Sequence, residues 1–260
     1  MLEARGLKKM YPASGNQRSS ERCAAVNGVD LILRDGEAYA LVGESGSGKS
    51  TLSKLLMGLL PPTEGDVLLD GVSIVPGKRK KQINVFSQIQ LVLQDGKSAL
   101  DPRFTVYDSV AEPIRNFLNI PKEQERKLVS SLLARMELDD ELSTRKPGEL
   151  SGGQQKRVCI ARALAVSPRC IIFDEAVSSL DVIVRNHILR LLKRIQAEQR
   201  CTYLFITHDI DVALYLAGHI FVMNDGRIVE GVDYTGDISS FTHPYSQLLL
   251  ESLLPANGAP

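Results

Sequence analysis

A chain of 260 residues is long enough to bury a full core, as one large domain with or without a subdomain. Its 43% hydrophobic and 24% charged residues are ordinary for a soluble globular protein. The 31 basic and 31 acidic side chains cancel, which excludes a broad positive field of the kind that draws in nucleic acid.

In chain order, residues 1–37 read as short strands joined by a polar loop from Ala13 to Arg22, closed by an Asp35-Gly36 turn. Tyr11, on that loop, has either an ordinary packing role or a ring face on which an adenine could stack. Ala38 to Val42 is apolar and short, a buried strand, and Gly43-Glu44-Ser45-Gly46-Ser47-Gly48-Lys49-Ser50-Thr51 follows it. This is G-x-x-x-x-G-K-S, the phosphate-binding P-loop. Leu52, Leu55, Leu56 and Leu59 then recur at helical spacing until Pro61-Pro62. Strand, glycine loop and helix together let backbone N–H groups and a helix N-terminus converge on phosphate oxygens. Lys49 is expected at the β- and γ-phosphates and Ser50 at Mg²⁺, so the chain is read as binding a nucleoside triphosphate.

Thr63-Glu64-Gly65 turns into an alternating strand from Asp66 to Asp70-Gly71, and the basic run Lys78-Arg79-Lys80-Lys81 reads as a solvated loop or helix start. A strand from Ile89 to Leu93 ends at Gln94-Asp95. Beyond the break at Asp101-Pro102-Arg103, Leu128, Leu132, Leu133 and Met136 mark an amphipathic helix, with Glu123, Glu125, Arg126 and Lys127 expected on its outer face. Leu150-Ser151-Gly152-Gly153-Gln154 opens the next helix. It reads either as a plain N-cap or as a second anion-binding cap serving a nucleotide on another copy.

Cys170 to Phe173 is a buried-type strand ending in Asp174 and Glu175. Asp174 has the lead-in of a Walker B aspartate that holds Mg²⁺, and Glu175 can accept a proton from an attacking water. Ser179-Leu180-Asp181 leads into a helix with Ile188, Leu189, Leu192 and Ile195 on its apolar side. Tyr203 to Ile206 is a strand that runs into Thr207-His208-Asp209, at a strand end where α/β sheets bind ligands. Asn224-Asp225-Gly226 turns a hairpin between Ile220–Met223 and Arg227–Val229. No apolar run approaches the ~20 residues that span a bilayer, and Met1 is not followed by a signal-peptide core. Cys23, Cys159, Cys170 and Cys201 lie far apart and read as buried thiols of a reducing cytoplasm.

P-loop, Gln94, Leu150 to Gln154, Asp174-Glu175, Asp181 and His208, in this order, resemble the nucleotide-binding subunit of an ABC transporter over nearly the whole chain. The resemblance implies an α/β fold: a P-loop NTPase (RecA-like) core with an antiparallel β subdomain (together 1–95 and 166–232), an inserted helical subdomain (96–165) and a C-terminal tail (233–260). It implies ATP and Mg²⁺ as ligands. By the same resemblance, Tyr11 stacks on adenine, and Gly43, Ser45, Gly46, Ser47, Gly48, Lys49, Ser50 and Thr51 hold the phosphates. Gln94 contacts Mg²⁺ with Ser50 and Asp174 and couples to the membrane subunits. Ser151, Gly152, Gly153, Gln154 and Asp181 act in trans on the nucleotide of a second cassette, Glu175 is the catalytic base, and His208 is the switch histidine at the γ-phosphate.

Implied partners are a second ATPase subunit, identical or a sibling, two permease subunits and, through them, a solute-binding protein, without nucleic acid; the subunit itself is expected at the cytoplasmic face of the membrane, as a peripheral protein. Ser98 to Val106 and His243-Pro244-Tyr245 resemble importers for peptides and for nickel or metal chelates, although such relatives mostly carry Asn where Asp101 stands. Ala176-Val177-Ser178 in place of Pro-Thr-Ser, and a short stretch after His243, resemble the nickel-importer ATPase in particular. Peptide import and a subunit of a phosphonate-degrading complex are the alternatives. A repair ATPase is disfavoured by the short insertion between Gln94 and Leu150, and a translation ATPase by the single cassette.

Overall fold

The computed structural model describes residues 1–12, 22–77, 84–178 and 180–251. The polar loop expected from Ala13, the basic run Lys78 to Lys81, and Ser179 lie outside them. The chain divides into two compact units, Met1–Ile83 with Leu204–Pro260, and Asn84–Tyr203.

The first unit opens with two long strands, β1 (Leu2–Pro12) and β2 (Arg22–Leu33), paired antiparallel with Leu2 opposite Leu33 and Tyr11 opposite Cys23. Tyr11 therefore sits on a strand and not on a loop. The β-structure runs further than the short strands expected of residues 1–37, because each strand is sustained by its partner's ladder. Next come β3 (Ala38–Val42), helix α1 (Lys49–Leu56), β4 (Glu64–Leu69) and β5 (Val72–Ser73). Strands β2, β1, β4 and β5 form one antiparallel sheet in that order. Asp70 and Gly71, with φ of 51° and 75°, make the tight turn from β4 to β5.

Helix α1 buries Leu52, Leu55 and Leu56 completely, but Leu59 is outside it and 51% exposed. The helix stops well before Pro61-Pro62 because Gly58 adopts φ 64° and donates its N–H back to the Leu55 carbonyl.

The second unit contains α2 (Val85–Gln88), β6 (Ile89–Val92), α3 (Gly96–Ala99), α4 (Val106–Phe117), α5 (Lys122–Arg135), α6 (Gly152–Leu164), β7 (Cys170–Asp174) and α7 (Val182–Gln199). Strands β6 and β7 are parallel, Ile89 opposite Cys170 and Val92 opposite Phe173. Every residue of β7 is buried, as expected of a parallel strand covered on both faces. The core of the helical part takes Val129, Leu132, Leu133 and Met136 from α5 and the segment after it, and Val106, Val110, Ala111 and Ile114 from α4.

The outer-face reading of Glu125 is corrected. It is 5% exposed, while Glu123, Arg126 and Lys127 face solvent. Its carboxylate accepts from Arg115 Nη2 at 3.0 Å, Lys122 Nζ at 2.5 Å and the Tyr107 hydroxyl at 2.8 Å. Three donors make burial of the charge tolerable, and they hold its pKa down to about 2, the Arg115 hydrogen bonds contributing most.

Strand β8 (Thr202–Thr207) carries the chain back into the first unit, followed by α8 (Ile210–Leu216), β9 (His219–Asn224), β10 (Arg227–Asp233) and α9 (Pro244–Glu251). Here β3 is parallel to β9, Val42 opposite Val222, and β9 turns through Asp225 (φ 45°) and Gly226 (φ 75°) into antiparallel β10. Cys159, Cys170 and Cys201 are buried thiols, whereas Cys23 is exposed, next to the Pro12–Arg22 end of the β1–β2 pair. No helix among the described residues is long and apolar enough to cross a membrane, and no three His, Cys, Asp or Glu residues among them are grouped to hold a metal ion.

Candidate functional site

In the first unit the P-loop joins the end of β3 to the start of α1 and is packed from below by backbone. A side chain at Gly43 would put its Cβ 2.1 Å from the Met223 carbonyl oxygen, and one at Gly48 the same distance from that of Ala25. Gly48 also has φ 106°, so only glycine meets both demands. The Gly226 N–H donates to the Ser47 carbonyl at 3.0 Å, and the Asn27 N–H to the Gly226 carbonyl at 2.8 Å. The β9–β10 turn and β2 thus fix the height of the loop.

Lys49 is 5% exposed, and its ammonium donates to the carbonyls of Gly43 at 2.6 Å and Glu44 at 2.7 Å. The first turn of α1 holds no acidic residue that would offset the positive end of its dipole. Ser47 Oγ is buried with no hydrogen-bond partner. Glu44, Ser45, Gly46 and Ser50 are exposed, and Thr51 is half-buried. An unsatisfied buried hydroxyl, a chelating ammonium and a glycine-lined backbone suit a polyphosphate. The hydroxyl of Ser50 and the carboxylate of Asp174 are hard oxygen donors of the type that Mg²⁺ takes.

Tyr11 is 39% exposed, with Lys9 Nζ 5.6 Å from its ring centroid, so one face of the ring already carries a cation. His208 is exposed immediately after β8, which neighbours β3 in the sheet. Beside it, Asp209 caps α8 through the Val212 N–H.

The second unit brings Gln94, Asp174 and Glu175 to one sheet end. Because Val92 pairs with Phe173 in a parallel ladder, Gln94 and Glu175 each lie two residues beyond the same rung. Asp174 is 7% exposed, and Gln94 is exposed. Glu175 has φ 53°, unusual for a residue with a side chain, and is held there by a turn in which Ser178 donates both its N–H and its hydroxyl to the Glu175 carbonyl. Ala176 and Val177, which stand where Pro-Thr is common, are buried beneath that turn.

Ser151 and Gln154 form a reciprocal capping box on α6. The Gln154 N–H donates to Ser151 Oγ at 3.3 Å, and the Ser151 N–H donates to Gln154 Oε1 at 2.8 Å. The plain N-cap reading of this loop is thus observed, and the Ser151 hydroxyl still has a proton to give. Gly153 is confined by the start of α7, where a Cβ would lie 2.7 Å from Val184 Cγ1. Asp181 caps α7, accepting the Val184 N–H at 3.0 Å, a structural duty additional to the trans role that the motif implies.

Other residues at the site escape reading along the chain. Lys156, 2% exposed, donates to the carbonyls of Leu93 and Gln94. Tyr245 accepts the Glu44 N–H. The only linear signal for the second is the His-Pro-Tyr triplet itself, and for the first a basic residue on the apolar side of a helix. Asp101, found where Asn is usual, accepts the Arg103 N–H at 2.9 Å and pairs with the Arg103 guanidinium, which holds its carboxyl at about 2. An Asn could make the turn but not the ion pair.

The family model described as ABC transporter matches residues 26–178. The Nickel import ATP-binding protein NikE of Shigella boydii serotype 4 (strain Sb227) is 39% identical over 256 residues, covering 98% of this chain and 95% of that protein. Among solved structures, a dimeric post-hydrolysis state of the ATP-binding cassette MJ0796 bound to ADP and Pi gives a TM-score of 0.78 at 31% identity, covering 91% of this chain and 100% of the other. The cbiO1 subunit from Clostridium perfringens, part of the ABC transporter complex cbiONQ, gives 0.73 at 29% identity, with 89% and 88% covered.

Proposed function

This chain belongs to the ABC transporter family, as an ATP-hydrolysing subunit with the α/β P-loop fold, and on that footing we propose that it powers uptake of nickel or another chelated metal. The observation that carries the reading is 39% identity with a nickel import subunit, in an alignment that covers 98% of the chain, joined by Ala176-Val177-Ser178 after the Asp174-Glu175 pair. Neither feature touches cargo, so the warrant is kinship.

Lys49 binds the β- and γ-phosphates as a point charge, and the P-loop backbone orients them. Ser50, Gln94 and Asp174 would hold Mg²⁺, which would supply positive charge against the phosphates. Glu175, which follows the strand that Asp174 ends and has a left-handed backbone, takes the proton of the attacking water. Ser151 through Gln154, with Asp181, serve the nucleotide of a second cassette, either an identical chain or a sibling. Activity therefore rises faster than linearly with protein concentration. The working assembly adds two permease subunits and, through them, a solute-binding protein, with this subunit on the cytoplasmic face of the membrane.

Peptide import is the second reading, because the Ser98–Val106 segment and His243-Pro244-Tyr245 resemble peptide and metal-chelate importers alike. Deleting the gene and measuring uptake of trace nickel and of an essential peptide separates the two. Lowered cellular nickel with intact peptide growth is the expected result. Unchanged nickel with lost peptide growth overturns it, and no effect on either favours a non-transport complex.

A further inference from the structure

We propose that Lys156 is a positioning residue that fastens the segment carrying Gln94 to the helix that begins at Ser151–Gln154, so that the two respond as one piece. The proposal rests on the reading of those two motifs given above. Lys156, Cys159 and Arg162 recur every three residues along α6 and so share one face of the helix. Each donates to a backbone carbonyl of the segment after β6. Lys156 Nζ reaches Leu93 O at 2.6 Å and Gln94 O at 2.7 Å, Cys159 Sγ reaches Gly96 O at 3.7 Å, and Arg162 Nη1 reaches Ala99 O at 2.6 Å. The helix thus reads out the segment at matching intervals, as a row of clips.

Lys156 is the strongest of the three. The β6–β7 ladder ends at Val92, and the two carbonyls just past it are the ones that the ammonium binds. At 2% exposure the charge is desolvated. A buried ammonium is retained only where its hydrogen bonds are made, so displacing the segment would strand it. Gln94 itself is exposed: its backbone is gripped while its side chain faces outward.

Full-length Lys156→Met, Lys156→Arg, Gln94→Ala and Glu125→Gln proteins are compared with wild type for amide exchange, ATP affinity, kcat and KM. Glu125→Gln removes a buried charge in the same unit without touching the clamp, and serves as the destabilised control. Lys156→Met is expected to expose residues 93–99 to faster exchange and to lower kcat roughly ten- to hundredfold, as misplacement of a catalytic element does. ATP affinity should change less than about twofold, the signature of a loss confined to turnover, and Lys156→Arg should restore most of kcat. Lys156→Met overturns the proposal if it keeps the exchange protection of 93–99, or if its kcat falls no further than that of Glu125→Gln at equal folded fraction. If Lys156→Met does not fold, Lys156→Gln replaces it under the same criteria. Unchanged kcat in Gln94→Ala overturns the role of Gln94, leaving exchange to decide the clamp. Impaired Gln94→Ala beside an unimpaired Lys156→Met overturns the clamp alone.

Discussion

The Glu44 N–H, in the P-loop, donates to the Tyr245 hydroxyl at 3.1 Å, although 201 residues separate them in the chain. The tyrosine is delivered there by a short strap. Glu230 on β10 accepts from the N–H groups of Thr242 and His243 at 2.7 and 3.0 Å, and His243 Nδ1 accepts the Tyr245 N–H at 3.2 Å. The His-Pro-Tyr triplet is thus a second brace on the phosphate loop, beside the one from Gly226. Tyr245→Phe keeps the ring and deletes one hydrogen bond, worth about 1 kcal/mol. ATP affinity measured by titration calorimetry should fall several-fold with the melting temperature nearly unchanged. An unaltered Kd would mean that the loop holds its shape without the brace.

Lys49 and Glu175 should separate binding from turnover. Lys49→Ala removes the ammonium at the loop carbonyls and should weaken ATP binding by about 10- to 100-fold, since hydrogen bonds to charged groups are worth about 1.5–3 kcal/mol. Glu175→Gln should bind ATP as wild type does but turn over about 10²- to 10⁴-fold more slowly, the usual range for loss of a general base. It should also accumulate an ATP-dependent dimer on gel filtration. Hydrolysis by Glu175→Gln at the wild-type rate would remove Glu175 from the role of base.

Gly153 and Val184 should behave as a coupled pair. In Gly153→Ala the new methyl would sit 2.7 Å from Val184 Cγ1, so the start of α7 or the capping box on α6 has to move. Stiff, branched valine yields poorly, and the expected cost is about 1–3 kcal/mol, as for other overpacked sites. Val184→Ala in the same chain should recover most of that loss in chemical denaturation. Additive effects of the two substitutions would show that they do not meet.

Glu125 should set the acid response of its unit. Its carboxyl titrates at about 2 in the folded protein against an ordinary value of 4.5. A depressed pKa means that the stabilisation is fully present above about 4.5 and is lost as pH falls from there toward 2. Glu125→Gln should be less stable at neutral pH by about 1–3 kcal/mol, the worth of charged hydrogen bonds to Arg115 and Lys122. Its urea midpoint should also change less between pH 4.5 and 2 than that of the wild type. Parallel curves for the two proteins would assign the acid sensitivity to other carboxylates.

What could be read along the chain was whatever depends on near neighbours. The strand–glycine loop–helix around Lys49, the Asp-Gly turns at Asp70 and Asp225, the N-cap at Ser151 and the buried run before Asp174 each follow from a few consecutive residues. Helix α4 has no such local signal, because Pro113 lies inside it and disfavours a helix. There a Thr105 cap and four fully buried apolar side chains outweigh the lost hydrogen bond. Glu125 looked like solvated surface until Arg115, ten residues away, was seen to fold over it. Lys156 likewise became a clamp only when residues 93 and 94 came under α6, and Tyr245 a brace only when α9 met the P-loop. Hydrophobic period and turn chemistry act over a few residues, so sequence carries them. The partner of a buried charge or of an unpaired backbone group is chosen by packing, because desolvation penalises every arrangement that leaves it alone.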